Sequence, residues 1–395
     1  MFDQSFIVLE LANILAGPIT GMGFAELGAR VIKLENPATG GDATRGFKLS
    51  SEDRDSDICA YYSCANWGKE SLTVNFSTAA GKQVAHALAA KADIVIASFK
   101  PGDAEKLALD FDTLKALNER LIYGQISAYG PQDPRPGFDA ILQAETGFTS
   151  LNGDAEGPPT KMPVALIDIL ASHQLKEGLL LALLNRERTG EGGLVDVSLF
   201  QAGIASLANQ ATNYLVGGII PQRMGSEHPN IVPYGSVIES QDGRQIVIAA
   251  ATERQFRELV RALDRHDLAD DPTLQTGPQR VENRDKLLAA IRAAAAVYSA
   301  QEIAARLQNA KVPFGFVNDM AQVFELQGAQ DLLLESDSQQ GLTGVRTLAV
   351  NSAQVDFKSL AAPPALNQNF AAIIEGFLGY TGEEINLLRD AGAFS

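Results

Sequence analysis

The sequence predicts an α/β protein built on a parallel sheet, with a second, smaller domain following it. Two observations carry the first part. Apolar strand-like runs alternate with helical stretches through residues 6–127, and the turns between them are short. Strand–helix–strand units of this kind pair their strands in parallel and cover the sheet with helices. The third observation is a change of character after residue 215, where Gly217-Gly218 and Pro221 read as a linker and hairpin chemistry replaces the strand–helix alternation.

The first strand is predicted over 6–11, a helix near 20–27 and the second strand over 29–34, from apolar periodicity and β-branched content. A helix over 78–91 leads into a strand over 92–97, and a helix over 103–118 into a strand over 121–127. Residues 164–187 predict a long apolar-rich helix that Thr189-Gly190-Glu191-Gly192-Gly193 ends. A short strand over 194–198 and a helix over 200–215 follow. In the smaller domain, Asp242-Gly243 predicts a hairpin turn between strands at 236–239 and 245–250. Helices at 253–263, 283–295 and 300–309 come next, and from about 326 the chain mixes strand-like and turn-rich pieces.

At 395 residues the chain exceeds what one core usually organises. Its 46% hydrophobic and 20% charged residues fit an ordinary globular protein. A net charge of -16 with no basic cluster excludes nucleic acid and anionic membrane as expected partners. The start, Met1-Phe2-Asp3-Gln4-Ser5, lacks the parts of a signal peptide, and no apolar run reaches about 18 residues. A cytoplasmic location is expected. Cys59 and Cys64 stand outside any CxxC pattern and read as inert thiols. No two of the four histidines share a ligand spacing, so no metal is expected.

Gly17-Pro18-Ile19-Thr20-Gly21-Met22-Gly23 resembles a phosphate-binding turn, yet Glu26 stands where a third glycine belongs and Glu35 arrives early. A nicotinamide or flavin site is not expected. One residue stands out: Asp168 interrupts the apolar run Val164-Ala165-Leu166-Ile167-Asp168-Ile169-Leu170. On residues alone it is either a helix cap or a partly desolvated functional carboxylate.

Seven blocks, in order, resemble the class III coenzyme A transferases. They are Ala16-Gly17-Pro18 with residues 26–37 and Gly41-Asp42 to Arg45; Asn66-Trp67-Gly68-Lys69-Glu70-Ser71-Leu72; Phe99-Lys100-Pro101-Gly102; Gly137-Phe138-Asp139 with Gln143-Ala144; the surroundings of Asp168; Arg188-Thr189-Gly190-Glu191-Gly192; and Pro229-Asn230-Ile231-Val232-Pro233-Tyr234-Gly235 with Asp242-Gly243. The resemblance implies a large doubly wound, Rossmann-like domain from both ends of the chain, 1–215 and 326–395. It also implies a smaller inserted α+β domain at 225–325, and two chains interlocked as a homodimer.

By position, the family's coenzyme A contacts fall on Ile14, Asn36, Val74, Ser98, Phe99 and Lys106, with Asn36 and Lys106 replacing arginines of the formyl-CoA transferase pattern. Coenzyme A and its acyl thioesters are then substrates, with no tightly bound cofactor. Leu15 replaces a glutamine of the oxalate-acting members, which argues against oxalate-like chemistry. The stretches 168–174 and 207–210 look more like members acting on C4–C5 dicarboxylates or 3-sulfinopropionate, with succinyl-CoA as donor. His173, Arg223, His228 and Asn230 are candidates for the distal acid group, with Leu15 beside them.

The implied chemistry is attack of Asp168 on the thioester, through an aspartyl-CoA thioester. The alternatives are a racemase or isomerase of the same fold, and transfer between two carboxyls of one dicarboxylate. A racemase needs a base on each side of the carbon, and the family's racemases carry Gly-His-Asp where this chain has Gly137-Phe138-Asp139.

Overall fold

The computed structural model describes residues 2–336, 341–351 and 360–395. The described chain forms two compact units: one from 1–146, 163–208 and 331–395, the other from 147–162 and 209–330. Two stretches of the expected 1–215 domain, 147–162 and 209–215, thus group with the second unit. Local hydrogen bonds explain the first of these: Gly225 N–H donates to Gly153 C=O and Arg223 Nη1 to Ser150 C=O.

The first unit is organised by six strands: β1 (Ile7–Leu11), β2 (Arg30–Glu35), β3 (Lys69–Thr73), β4 (Ile94–Ala97), β5 (Ile122–Ser127) and β6 (Gly193–Ser198). They lie in the order β3-β2-β1-β4-β5-β6, and every pairing is parallel. This is the order of a doubly wound sheet, which reverses direction between β1 and β4. β1 is buried along its whole length, as a central parallel strand must be. β3 falls in a Lys-Glu-Ser-Leu-Thr segment without an apolar run and was not anticipated.

The glycine-rich segment is a correction. Gly17 to Gly23 do not form a turn; they lie inside helix α1 (Ala16–Glu26), entirely buried. A Cβ on Gly17 would stand 2.3 Å from the Ala12 Cβ, and one on Gly21 1.9 Å from Glu10 Oε2. The glycines therefore buy close packing of α1 rather than a phosphate cradle. Two predicted helices are each broken in two: 103–118 at Ala108 and 200–215 at Ala208, where φ is +56° and +47°.

Helix α2 (Asp139–Glu145) precedes the long helix α3 (Leu166–Thr189), which ends on left-handed Gly190. The C-terminal residues Ile373, Ile374, Ile385 and Leu388 join the core that contains Leu9, Ile32 and Val95.

In the second unit, β7 (Tyr234–Glu239), β8 (Gln245–Ala249) and β9 (Phe314–Phe316) form an antiparallel sheet. Asp242-Gly243 makes the predicted turn, with Gly243 at φ +76°. Ile238, Ile246 and Ile248 pack against Phe256, Leu259, Ile291, Ile303 and Leu307 of helices at 253–262, 284–295 and 300–309. Among the described residues, no single helix is long and apolar enough to cross a membrane.

Candidate active site

The reversal between β1 and β4 creates a cleft at the C-terminal ends of the strands, the place where open parallel sheets bind ligands. Its volume is about 250 Å³. The loop after β1 supplies Asn13, Ile14, Leu15, Ala16 and Gly17, and the loop after β4 supplies Ser98, Phe99, Lys100 and Pro101. Residues 126–128, 133 and 135–138, Leu199 and Asp168 complete the lining.

Asp168 sits in the first turn of α3 and is 8% exposed. It is not the cap: the cap position is Ala165, which makes no side-chain bond. The helix start is held instead by Asp139, whose Oδ1 accepts the Ile167 N–H at 2.8 Å while its Oδ2 accepts Gln143 Nε2 at 2.7 Å. Burial, with the nearby Asp139 carboxylate second, pushes Asp168 up to about 7. At neutral pH the group is poised between acid and anion, and as an anion it is more basic than an ordinary aspartate.

Four of the residues expected to meet coenzyme A or the acid, namely Ile14, Leu15, Ser98 and Phe99, line the cleft with Asp168. The other three expected coenzyme A contacts lie outside this lining, two just past strand ends and Lys106 in the short helix Asp103–Leu107. Asn36, just past β2, caps a short turn by accepting the Ala38 N–H at 3.0 Å. Val74, just past β3, is wholly buried in the core, with its N–H donating to the Glu35 C=O. Lys106 is 75% exposed at its side chain and pairs with Asp103 at 2.8 Å.

His173 is exposed on α3, five residues and therefore about 140° around the helix from Asp168. Burial, then Lys176, holds its pKa below the ordinary value. Arg223, His228 and Asn230 belong to the second unit. There His228 Nδ1 accepts the Asn230 N–H, and Asn230 pairs with Asn213. Burial and Arg284 hold His228 below its ordinary pKa.

Sequence reasoning missed Lys100 and Arg135, which bring cationic groups to the cleft. Arg135 binds Asp133 through Nε and Nη2 and lies 3.9 Å over the Tyr129 ring. Lys100 stood inside a quoted motif, but nothing in its neighbours marked it. Among the described residues, no group of three metal-ligating side chains comes together.

Residues 4–370 match the profile of CoA-transferase family III. A succinate–glutarate CoA-transferase of Agrobacterium fabrum is 34% identical over 93% of both chains. A succinyl-CoA:mesaconate CoA-transferase of Haloarcula marismortui is 34% identical, covering 80% of this chain and 81% of its own. A crystal structure of a CAIB/BAIF family protein from Brucella suis is 36% identical, with a TM-score of 0.81 over 94% of this chain and 98% of that one. With a profile spanning most of its length, relatives of this identity and a matching solved fold, the chain belongs to CoA-transferase family III and is a transferase enzyme.

Proposed function

We propose that the protein moves coenzyme A from succinyl-CoA to a small dicarboxylate-like acid, with Asp168 as the nucleophile. The observation that carries this is the placement of a desolvated carboxylate, held near pKa 7, in the cleft at the sheet's switch point. The relatives act on succinate, glutarate and mesaconate by name, which supports a C4–C5 acceptor.

In the first step an Asp168 carboxylate oxygen bonds to the thioester carbonyl carbon. The carbon–sulfur bond breaks and the pair leaves as coenzyme A thiolate, giving a mixed anhydride. The thiolate then attacks the Asp168 acyl carbon and expels the donor acid as its carboxylate, leaving an aspartyl-CoA thioester. The acceptor carboxylate attacks that thioester, and the released thiolate attacks the acceptor acyl carbon, which restores Asp168 and forms the new acyl-CoA. No proton is consumed. First-turn N–H groups of a helix lack intrahelical partners, so those of Ala16 and Gly17, at the cleft wall, suit the oxyanion of each tetrahedral intermediate.

Lys100 and Arg135 suit the anionic groups of the substrates, with Asn36 and Lys106 proposed for the nucleotide end. His173, Arg223, His228 and Asn230 remain proposed for the distal acid group. The racemase alternative lacks support at its key position. Phe138, 65% exposed at the cleft, cannot transfer a proton.

Asp168→Asn is expected to fold and bind coenzyme A but to lose turnover by several orders of magnitude. Hydroxylamine or borohydride quenching of wild type with succinyl-CoA is expected to modify the Asp168 peptide, read by mass spectrometry. A panel of acceptors is expected to favour dicarboxylates over acetate and propionate. An active Asn variant, or an adduct on another residue, refutes the assignment.

A further inference from the structure

β1 carries one charged residue, Glu10, and the next two strands carry Lys33 and Lys69, all with side chains wholly removed from solvent. Lys33 Nζ lies 2.8 Å from Glu10 Oε1 and 2.8 Å from Asp42 Oδ2, and Lys69 Nζ 2.7 Å from Glu10 Oε2. Glu35 extends the cluster. It pairs with Arg45 at 2.7 Å and accepts the Asp42 N–H at 2.9 Å. Three acids balance three bases. A buried cluster of this kind is costly to assemble and is weak evidence of stability.

The cluster reaches two residues of the loop after β1, Ala12 and Ile14, and Ser98 holds Asn13 between them. Lys33 Nζ donates to the Ala12 C=O at 2.8 Å. The Asn13 N–H donates to Ser98 Oγ at 3.2 Å. The Ile14 N–H donates to Asp42 Oδ1 at 3.3 Å, and the same oxygen accepts the Thr44 N–H and hydroxyl at 3.0 and 2.8 Å. Ile14, so clamped, has φ +72°, a conformation that β-branched residues almost never adopt and that persists only when surroundings impose it. Its side chain lines the cleft with Leu15 and Asp168.

We infer that Asp42, held by Lys33, is a positioning residue: it locks Ile14 in the left-handed conformation and thereby sets the cleft wall that receives the acyl-CoA. This rests on the transferase reading above and adds to it a residue that touches no substrate. The clamp lets a bulky side chain stand at a position where only glycine is free of strain.

A double-mutant cycle on the full chain tests this, with Asp42→Ala and Ile14→Gly, measuring KM for succinyl-CoA, kcat at saturation, and Kd for coenzyme A by calorimetry. In the wild-type background, Asp42→Ala is expected to raise KM and Kd about tenfold with kcat changed less than about threefold. In the Ile14→Gly background the same substitution is expected to change them less than about twofold, because glycine adopts the conformation unaided. Equal effects in both backgrounds overturn the inference. If Asp42→Ala loses its cooperative unfolding transition, Asp42→Asn, which keeps an oxygen for the Ile14 N–H, takes its place: KM and Kd are expected to stay within about threefold of wild type, and a tenfold rise in both backgrounds overturns the inference. Transfer by wild type with an additive cycle sinks the clamp alone. Absence of transfer by wild type sinks the transferase reading, and the calorimetric cycle then decides the clamp by itself.

Discussion

In the proposed reaction Asp168 attacks as an anion, so its elevated pKa is expected to make activity depend on pH. Its folded value of about 7 lies above the ordinary 3.8, through burial first and the Asp139 charge second. kcat/KM for succinyl-CoA is therefore expected to climb with pH through an acid limb near 7 and to level above it. Asp139→Asn removes the neighbouring charge but keeps an oxygen for the Ile167 N–H, so the limb is expected to move to lower pH. A pH profile of both proteins checks this, and a limb that stays or rises rules out the Asp139 contribution. Asp168 was legible because a carboxylate interrupts an apolar run. Its partner was not, because Asp139 meets the start of α3 from 28 residues away in sequence, and no local pattern records such a contact. The cap reading was likewise removed only by the observed cap position at Ala165.

The glycines of α1 show how an element can be read in the right place for the wrong reason. Their density suggests a turn, but each removes a side chain where the helix presses on its neighbours. Gly21 faces the Glu10 carboxylate, which Lys33 and Lys69 fix in place. Gly21→Ala gains about 1 kcal/mol of helix propensity but displaces one member of a buried ionic cluster, at about 3–5 kcal/mol. The expected net loss, roughly 2–4 kcal/mol in denaturant unfolding, contrasts with Gly46→Ala, where a Cβ meets nothing within 4 Å. A neutral Gly21→Ala would show that Glu10 relocates freely. The strands β1, β2, β4 and β5 were legible within two residues because buried parallel strands are continuous apolar runs. β3 was not, since Lys69 and Ser71 point into the ionic cluster and break the apolar pattern. The helix breaks at Ala108 and Ala208 were also hidden, because alanine gives no sign of a left-handed backbone.

At the scale of the molecule, the change of character after residue 215 falls a few residues past 209, where the second compact unit resumes, and nothing in the sequence marks 147–162 as part of that unit. Residues 147–162 are tied to 223–225 by the Gly225 N–H on the Gly153 C=O and the Arg223 side chain on the Ser150 C=O, contacts about 70 residues apart in sequence that leave no mark in local patterning. Each unit also leaves apolar side chains in solvent. On α3 of the first unit Leu181 and Leu184 are 66% and 64% exposed, and in the second unit Leu215, Val216, Ile219 and Ile220 are 66–85% exposed. Burying one such side chain is worth about 1.5–3 kcal/mol, so these six offer roughly 9–18 kcal/mol before the entropy of association is subtracted. That sum is of the size that association requires, about 4–15 kcal/mol, and it supports the homodimer proposed from the family resemblance. Sedimentation is expected to give a dimer that persists on dilution to micromolar concentration, as interlocked chains would. Leu181→Glu with Leu184→Glu, which places charge on an apolar face, is expected to weaken the dimer and lower activity in parallel. A wild-type monomer with full turnover at that concentration would show that one chain holds everything the reaction needs.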